Sequence, residues 1–173
     1  MVQYRCLFHR FLYLSLIMTI LKSFLTVILL SVMTTGYSQL NAQLCNPDET
    51  VVFSFQLKNQ KWVSVCKGKK DKYIVYRFGT KDNVELQYPA NPGADSWQQF
   101  SINGYDRGGG KANAAMRFAY LSFTNNNILY EVYDTWSSED NKQQCGVNVI
   151  ADGKTTDMRG ILATRKGDLL PLW

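Results

Sequence analysis

Short runs in which apolar and polar residues alternate, broken at close intervals by Asn, Gly, Asp or Lys, constrain this chain more than any other feature of its sequence. A period of two places successive side chains on opposite faces of a strand, so such runs call for an antiparallel sheet with one covered and one wet face. Val51, Phe53, Phe55 and Leu57 share one face, and Val63 and Val65 do the same in the returning run. A loop of Asn59, Gln60 and Lys61 sets Leu57 opposite Val63 and Phe55 opposite Val65, whereas a two-residue loop would set Phe55 against Ser64; the longer loop is expected. Further strands are expected over 73–78, 84–88, 97–102, 116–123, 128–133 and 146–150. Their turns are marked by Gly79, Pro89, Gly93, residues 108–110 and 125–127, and Asp152-Gly153. About eight strands make the expected fold all-β, an antiparallel β-sandwich or a flattened barrel. The polar segment 137–143 reads as a loop or one helical turn, and the apolar tail 169–173 as a segment that docks on the sheet.

The only histidine, His9, lies in an apolar leader. Residues 1–38 read as a signal peptide whose best-shaped version starts at Met18, with Lys22 as its positive region, an apolar stretch over 24–32 and a polar end. Gly36 and Ser38 favour cleavage before Gln39; Ala42 offers a second position, before Gln43. An uncleaved anchor over 11–32 would carry Lys22 near its centre, at a cost of roughly 2.5 to 3.5 kcal/mol. Leu44 directly before Cys45 argues against lipid attachment there. A single exported domain over 39–173, periplasmic or secreted and not stably inserted in a membrane, is therefore expected.

That domain has no imidazole, which removes the usual general base, the partner of Ser and Cys nucleophiles and the commonest metal ligand. The expectation is a non-enzymatic protein with no cofactor and no metal. Of the nineteen basic residues Arg5, Arg10 and Lys22 belong to the leader, while all fourteen acidic ones lie beyond it, so the net charge falls from +5 to +2. The remaining basic residues are scattered apart from a cluster over 67–72 that reads as a solvated hairpin tip, and no nucleic-acid partner is expected. Cys45, Cys66 and Cys145 remain after cleavage. Pairing Cys45 with Cys66 closes a loop of about 22 residues around the first hairpin, worth roughly 3 kcal/mol; the two pairings with Cys145 stay open.

Gly108, Gly109, Gly110 and Lys111 do not make a phosphate loop, since Tyr105 and Ala112 stand where a glycine and a hydroxyl residue are required. They read instead as a bare-backbone loop that a partner approaches closely, preceded by Tyr105, Asp106 and Arg107, residue types frequent at binding hot spots. Asp134, Glu139 and Asp140 are the carboxylates that a histidine-free glycosidase would use, although their position at a strand end is where acids normally face water. Trp62 and Trp136 flank turns and are the candidates for stacking on a sugar or a protein partner, with cross-strand packing as the plainer role.

The strings Tyr76-Arg77-Phe78-Gly79, Val84-Glu85-Leu86-Gln87-Tyr88-Pro89, Arg107-Gly108-Gly109-Gly110 and Leu121-Ser122-Phe123-Thr124-Asn125 resemble a loose family of small exported bacterial proteins without assigned function. That resemblance implies export and a β-fold and assigns no functional residue. Ser101-Ile102-Asn103-Gly104-Tyr105 is similar to the Ser-Gly-Tyr loops of periplasmic lysozyme inhibitors, except that serine and glycine are not adjacent here.

The expected function is that of an exported, non-catalytic binding protein, an inhibitor or immunity-type factor acting on an envelope or secreted protein. A carbohydrate-binding module is the alternative, and a histidine-free glycosidase the third reading. Cysteine arithmetic yields a first prediction: thiol titration of the exported protein under denaturing, non-reducing conditions finds one free group per chain, or none if Cys145 links two copies. Three free groups would refute both the disulfide and export to an oxidising space.

Overall fold

The computed structural model describes residues 43–173; the expected signal peptide, Met18 and His9 lie outside the described residues. Ten strands form two separate five-stranded antiparallel sheets packed as a sandwich, two strands more than the alternation foretells and without the closure of a barrel. The first sheet holds β1 (Thr50–Gln56), β2 (Trp62–Lys67), β3 (Ile74–Thr80), β4 (Asn83–Tyr88) and β10 (Lys166–Gly167), in the order β10-β1-β2-β3-β4. The second runs in chain order through β5 (Ser101–Arg107), β6 (Met116–Asn125), β7 (Ile128–Ser137), β8 (Lys142–Ala151) and β9 (Lys154–Arg159). Among the described residues no helix is long and apolar enough to cross a membrane.

The apolar alternation is spent on the space between the sheets. Phe53, Phe55, Val63, Val65, Ile74 and Tyr76 from the first sheet meet Ala119, Leu121, Phe123, Val132, Cys145 and Val147 from the second, all of them buried. The first hairpin keeps apolar opposite apolar but sits one pair further round than expected: Phe55 faces Val63 and Phe53 faces Val65. Leu57 closes the turn by accepting from the Gln60 N–H and donating to the Lys61 carbonyl, so the loop is Lys58, Asn59 and Gln60. A bulge at Val52 shifts the strand once more. The tail docks as expected, with Leu169 fully buried and Leu170 and Leu172 against the core.

Two expected boundaries are corrected. A 3₁₀ segment over Ala94–Gln99 replaces the first half of the strand expected over 97–102, because side chains hold a turn there: Ser96 Oγ accepts the Ile74 N–H at 2.9 Å and Trp97 Nε1 donates to the Asp71 carbonyl at 2.9 Å. The segment 137–143, expected as a loop or helical turn, is a hairpin whose strands run up to a four-residue turn. Ser137 pairs with Lys142 and Trp136 with Gln143, the polar residues being held by ladder bonds that hydropathy does not register.

Residues 43–49 lie as a strap over the outer face of the first sheet. The Cys45–Cys66 disulfide forms as expected and anchors the strap, with Cα atoms 5.6 Å apart. Beneath it sit Ser54, Ser64 and Arg77, all buried. Ser64 Oγ accepts the Leu44 N–H at 3.1 Å, and Arg77 donates to the Leu44 carbonyl at 3.1 Å and to both carboxylate oxygens of Glu49 at 2.5 and 2.9 Å. Among the described residues no buried side-chain polar atom lacks a partner. Burial alone would raise the pKa of Glu49, but the hydrogen bonds from Arg77 and the Asn46 N–H, the Arg77 charge and the Tyr73 hydroxyl outweigh it and hold the carboxyl below its usual 4.5.

A carboxyl whose folded pKa is lowered contributes stability that is whole above its unfolded pKa and is lost as pH falls through the folded one. Urea denaturation between about pH 7 and about pH 3 is therefore expected to show falling stability below the ordinary glutamate range, part of which Glu49→Gln abolishes. At neutral pH the same substitution leaves Arg77 buried without its counter-ion and is expected to cost about 3 to 5 kcal/mol.

Candidate functional site

Antiparallel registry arranges the inner face of the second sheet into rows that run across its strands. Ile102, Leu121, Val132, Val147 and Met158 form an apolar row. The next row, Gly104, Ala119, Asp134 and Cys145, is small and carries one acid. The one after, Asp106, Arg117, Trp136 and Gln143, is polar with a single indole. Apolar burial ends there and the sandwich opens into a mouth, where a pocket of about 420 Å³ is lined by Asp106, Arg107, Arg117, Asp134, Trp136 and Arg165 among others.

Apart from Arg107, which donates to a backbone carbonyl, the charges in this mouth are held in ion pairs. Arg165 donates through Nε to Asp134 Oδ1 at 2.9 Å and through Nη2 to Asp134 Oδ2, and its guanidinium lies 5.3 Å from the Phe53 ring centroid. The bonds from Asp134 hold the Arg165 pKa above its ordinary value against the opposing effect of burial. Arg117 bridges Asp168 at 3.2 Å and Asp106 at 3.6 Å. Asp168 in turn accepts the Leu170 N–H at 2.9 Å, tying the ion network to the docked tail.

A second, more open cavity of about 600 Å³ lies between the β5–β6 connection and the β7–β8 turn, lined by Arg107, Gly109, Gly110, Lys111, Asn113 and Glu139 among others. Arg107 lines both cavities and donates to the Ala114 carbonyl through Nε at 3.1 Å and Nη2 at 2.9 Å. The two loops are joined by a reciprocal pair, Ser138 N–H to the Ala115 carbonyl at 2.9 Å and Ala115 N–H to Ser138 Oγ at 2.8 Å.

The expected binding loop is thus only partly a loop. Tyr105, Asp106 and Arg107 are the last residues of β5, because they pair with Phe118, Arg117 and Met116. Strand geometry sends Tyr105 and Asp106 to opposite faces: Tyr105, 43% exposed, stacks on Phe118 with centroids 6.1 Å apart, while Asp106 joins the polar row. Gly108, Gly109, Gly110 and Lys111 do form an exposed irregular connection, and a Cβ added at Gly108 or Gly110 would meet nothing within 4 Å. Trp136 lies in the pocket, whereas Trp62 is on the other sheet, at the start of β2 opposite Gln56 and Gly79.

The three carboxylates do not share a cavity. Asp134 lines the mouth pocket, locked to Arg165; Glu139 lines the open cavity; Asp140 caps its own turn by accepting the Lys142 N–H at 3.2 Å. Cys145 is unpaired and 1% exposed, and burial, with Asp134 adding to it and Arg165 opposing, pushes its thiol up to about 12. Among the described residues Cys45, Glu49 and Cys66 come close enough to suggest a metal cluster, but both sulfurs are tied up in the disulfide.

Sequence reading did not single out Arg117, Gln143, Arg165 or Asp168. Arg117 had a visible signal, since it continues the inward positions Ala119, Leu121 and Phe123 with a charge; Arg165 and Asp168 had none, being placed by a chain return.

Asp134→Ala leaves the largely covered Arg165 without its counter-ion and is expected to cost about 2 to 5 kcal/mol in urea denaturation, whereas Asp140→Ala at the exposed turn costs no more than about 1 kcal/mol. Equal midpoints for the two variants would show that the Asp134–Arg165 pair does not hold the mouth together.

Comparison of the chain with protein-family models, with curated proteins and with solved structures finds no match in any of the three.

Proposed function

We propose that this chain is an exported, non-catalytic binding protein whose target is another protein of the envelope or the secreted fraction, engaged in the manner of an inhibitor or immunity-type factor by the mouth end of the sandwich. The observation that carries this reading is the connection over 108–115. Its backbone is bare at Gly108 and Gly110, yet its ends are held by Arg107 on the Ala114 carbonyl and by the Ser138–Ala115 pair. A bare backbone on a fixed frame lets a partner approach closely with little to order on binding. Tyr105 stands exposed at the same strand end and Arg107 lies between the two cavities, both of them residue types enriched at interface hot spots. The Cys45–Cys66 disulfide supports an oxidising compartment and, with the leader, export.

Affinity capture from envelope and secreted extracts with the exported protein tests the reading. A stoichiometric partner is expected. Gly110→Arg places a side chain into open space, so it should leave stability within about 0.5 kcal/mol while weakening that partner's binding at least tenfold, as should the Tyr105→Ala/Arg107→Ala pair. Unchanged affinity in both variants would overturn the assignment to this end.

A further inference from the structure

We infer that the mouth pocket is a binding site for a neutral sugar, with the row Asp106, Arg117, Trp136 and Gln143 as its recognition surface. This does not rest on the protein-binding reading above, which is carried by the 108–115 connection and not by this row.

The first argument is charge. Arg117 is balanced by Asp106 and Asp168 and Arg165 by Asp134, in pairs already made inside the protein, while Arg107 spends its guanidinium on the Ala114 carbonyl. A charged ligand would have to displace one of these ion pairs or the Arg107 bond to the Ala114 carbonyl in order to bind. An uncharged ligand rich in hydroxyl groups loses nothing by that balance.

The second argument is the order of the side chains. Neighbouring strands lie about 4.8 Å apart, so the four residues present an acceptor, a donor fork, an indole and an amide at regular intervals over about 14 Å. A sugar ring carries hydroxyl groups that both donate and accept, and one face of C–H groups that packs on an aromatic surface. Asp106 accepts, Arg117 donates, Gln143 does both, and Trp136 offers the apolar face. Asp106 and Arg117 are 48% and 42% exposed through their side chains, so their polar atoms remain open to a ligand in spite of their 3.6 Å pairing. One row inward, the ring of Trp173, 65% exposed, lies across Gly104, where a Cβ would collide with it.

The third argument is rigidity. The floor of the pocket is the Asp134–Arg165 pair, Asp134 being 3% exposed, and the row is clamped by ladder bonds on all four strands. Such a site binds without reordering, which suits ligands whose affinity per contact is small.

The test is a titration of chitotriose, maltotriose and cellotriose into the ¹⁵N-labelled exported protein, following the indole N–H signals of Trp62, Trp97, Trp136 and Trp173. At least one trisaccharide is expected to move the Trp136 signal saturably, with a dissociation constant of about 1 mM or tighter, and to leave Trp62 and Trp97 in place. Trp136→Ala should weaken that binding at least tenfold and Trp136→Phe, which preserves a packed ring should the alanine variant misfold, less so. Gly110→Arg should leave it unchanged. No saturable Trp136 shift with any of the three up to about 10 mM overturns the inference, as does an equal or larger response to glucuronate or glucosamine, and so does a shift at Trp62 alone. A partner protein captured by the chain while all three trisaccharides fail would leave the protein-binding reading standing and this one refuted.

Discussion

Phe123 is the point on which the sandwich closes. Its ring stacks on Tyr88 at 4.4 Å and on Tyr130 at 5.0 Å, with Phe100 edge-on at 5.5 Å and Tyr76 tilted at 4.9 Å, so rings from both sheets and from the crossing between them converge on one side chain. Aromatic groups in such mixed stacked and edge-on arrangements bury large areas and add specific attraction to the hydrophobic term. They seal one end of the space between the sheets. Toward the opposite end the inner face runs through Ala119 and Asp134 to Arg117 and Trp136. One end of the domain is spent on holding the sheets together, and the other carries the polar row and its ion pairs.

The outer face of the first sheet solves a different problem. A strand with Ser64 and Cys66 on one face and Val63 and Val65 on the other would ordinarily show its polar face to water. Here the strap over 43–49 covers that face, and the charge it buries on Arg77 is met by Glu49, by the Leu44 carbonyl and by Gln87. The disulfide and the ion pair act on the same few residues from opposite sides. Covalent attachment fixes where the strap begins to lie down, and the carboxylate fixes where it ends.

Much of this was legible in the sequence because period-two hydropathy reports burial directly. Phe53, Phe55, Val63 and Val65 announce the first hairpin, and the error of one pair in its register left every side chain on its proper face. β9 escaped because its six residues have only one apolar member, Met158, which faces the core from an edge strand; β10 escaped because it is two residues long. Tyr105, Asp106 and Arg107 read as a loop since pairing with β6, not hydropathy, makes them a strand. The polar row was illegible for a stronger reason. Its members lie at 106, 117, 136 and 143, and only three successive registers bring them into line. The four strings that suggested kinship serve packing wherever they meet the core: Tyr76 and Phe123 are in the aromatic cluster, Arg77 is in the buried ion pair, and Gly79 holds φ +146° where a Cβ would collide with the Asn83 carbonyl.

The two-residue strand β10 looks like a minor edge, yet it is where the topology stops being local. Nine of the ten strands pair with a neighbour in the chain, and hairpins of that kind form from contacts close in sequence. Among the strands only β10 must travel back to β1, a return that begins where Gly160 bridges Leu57; Gly167 then faces Phe53 at φ +80°, and its missing Cβ leaves room for the Val52 carbonyl. That journey carries Arg165 to Asp134 and Asp168 to Arg117. That return closes the longest loop between paired strands, so chains that have formed every hairpin but not this return still lack Arg165 and Asp168 at the mouth.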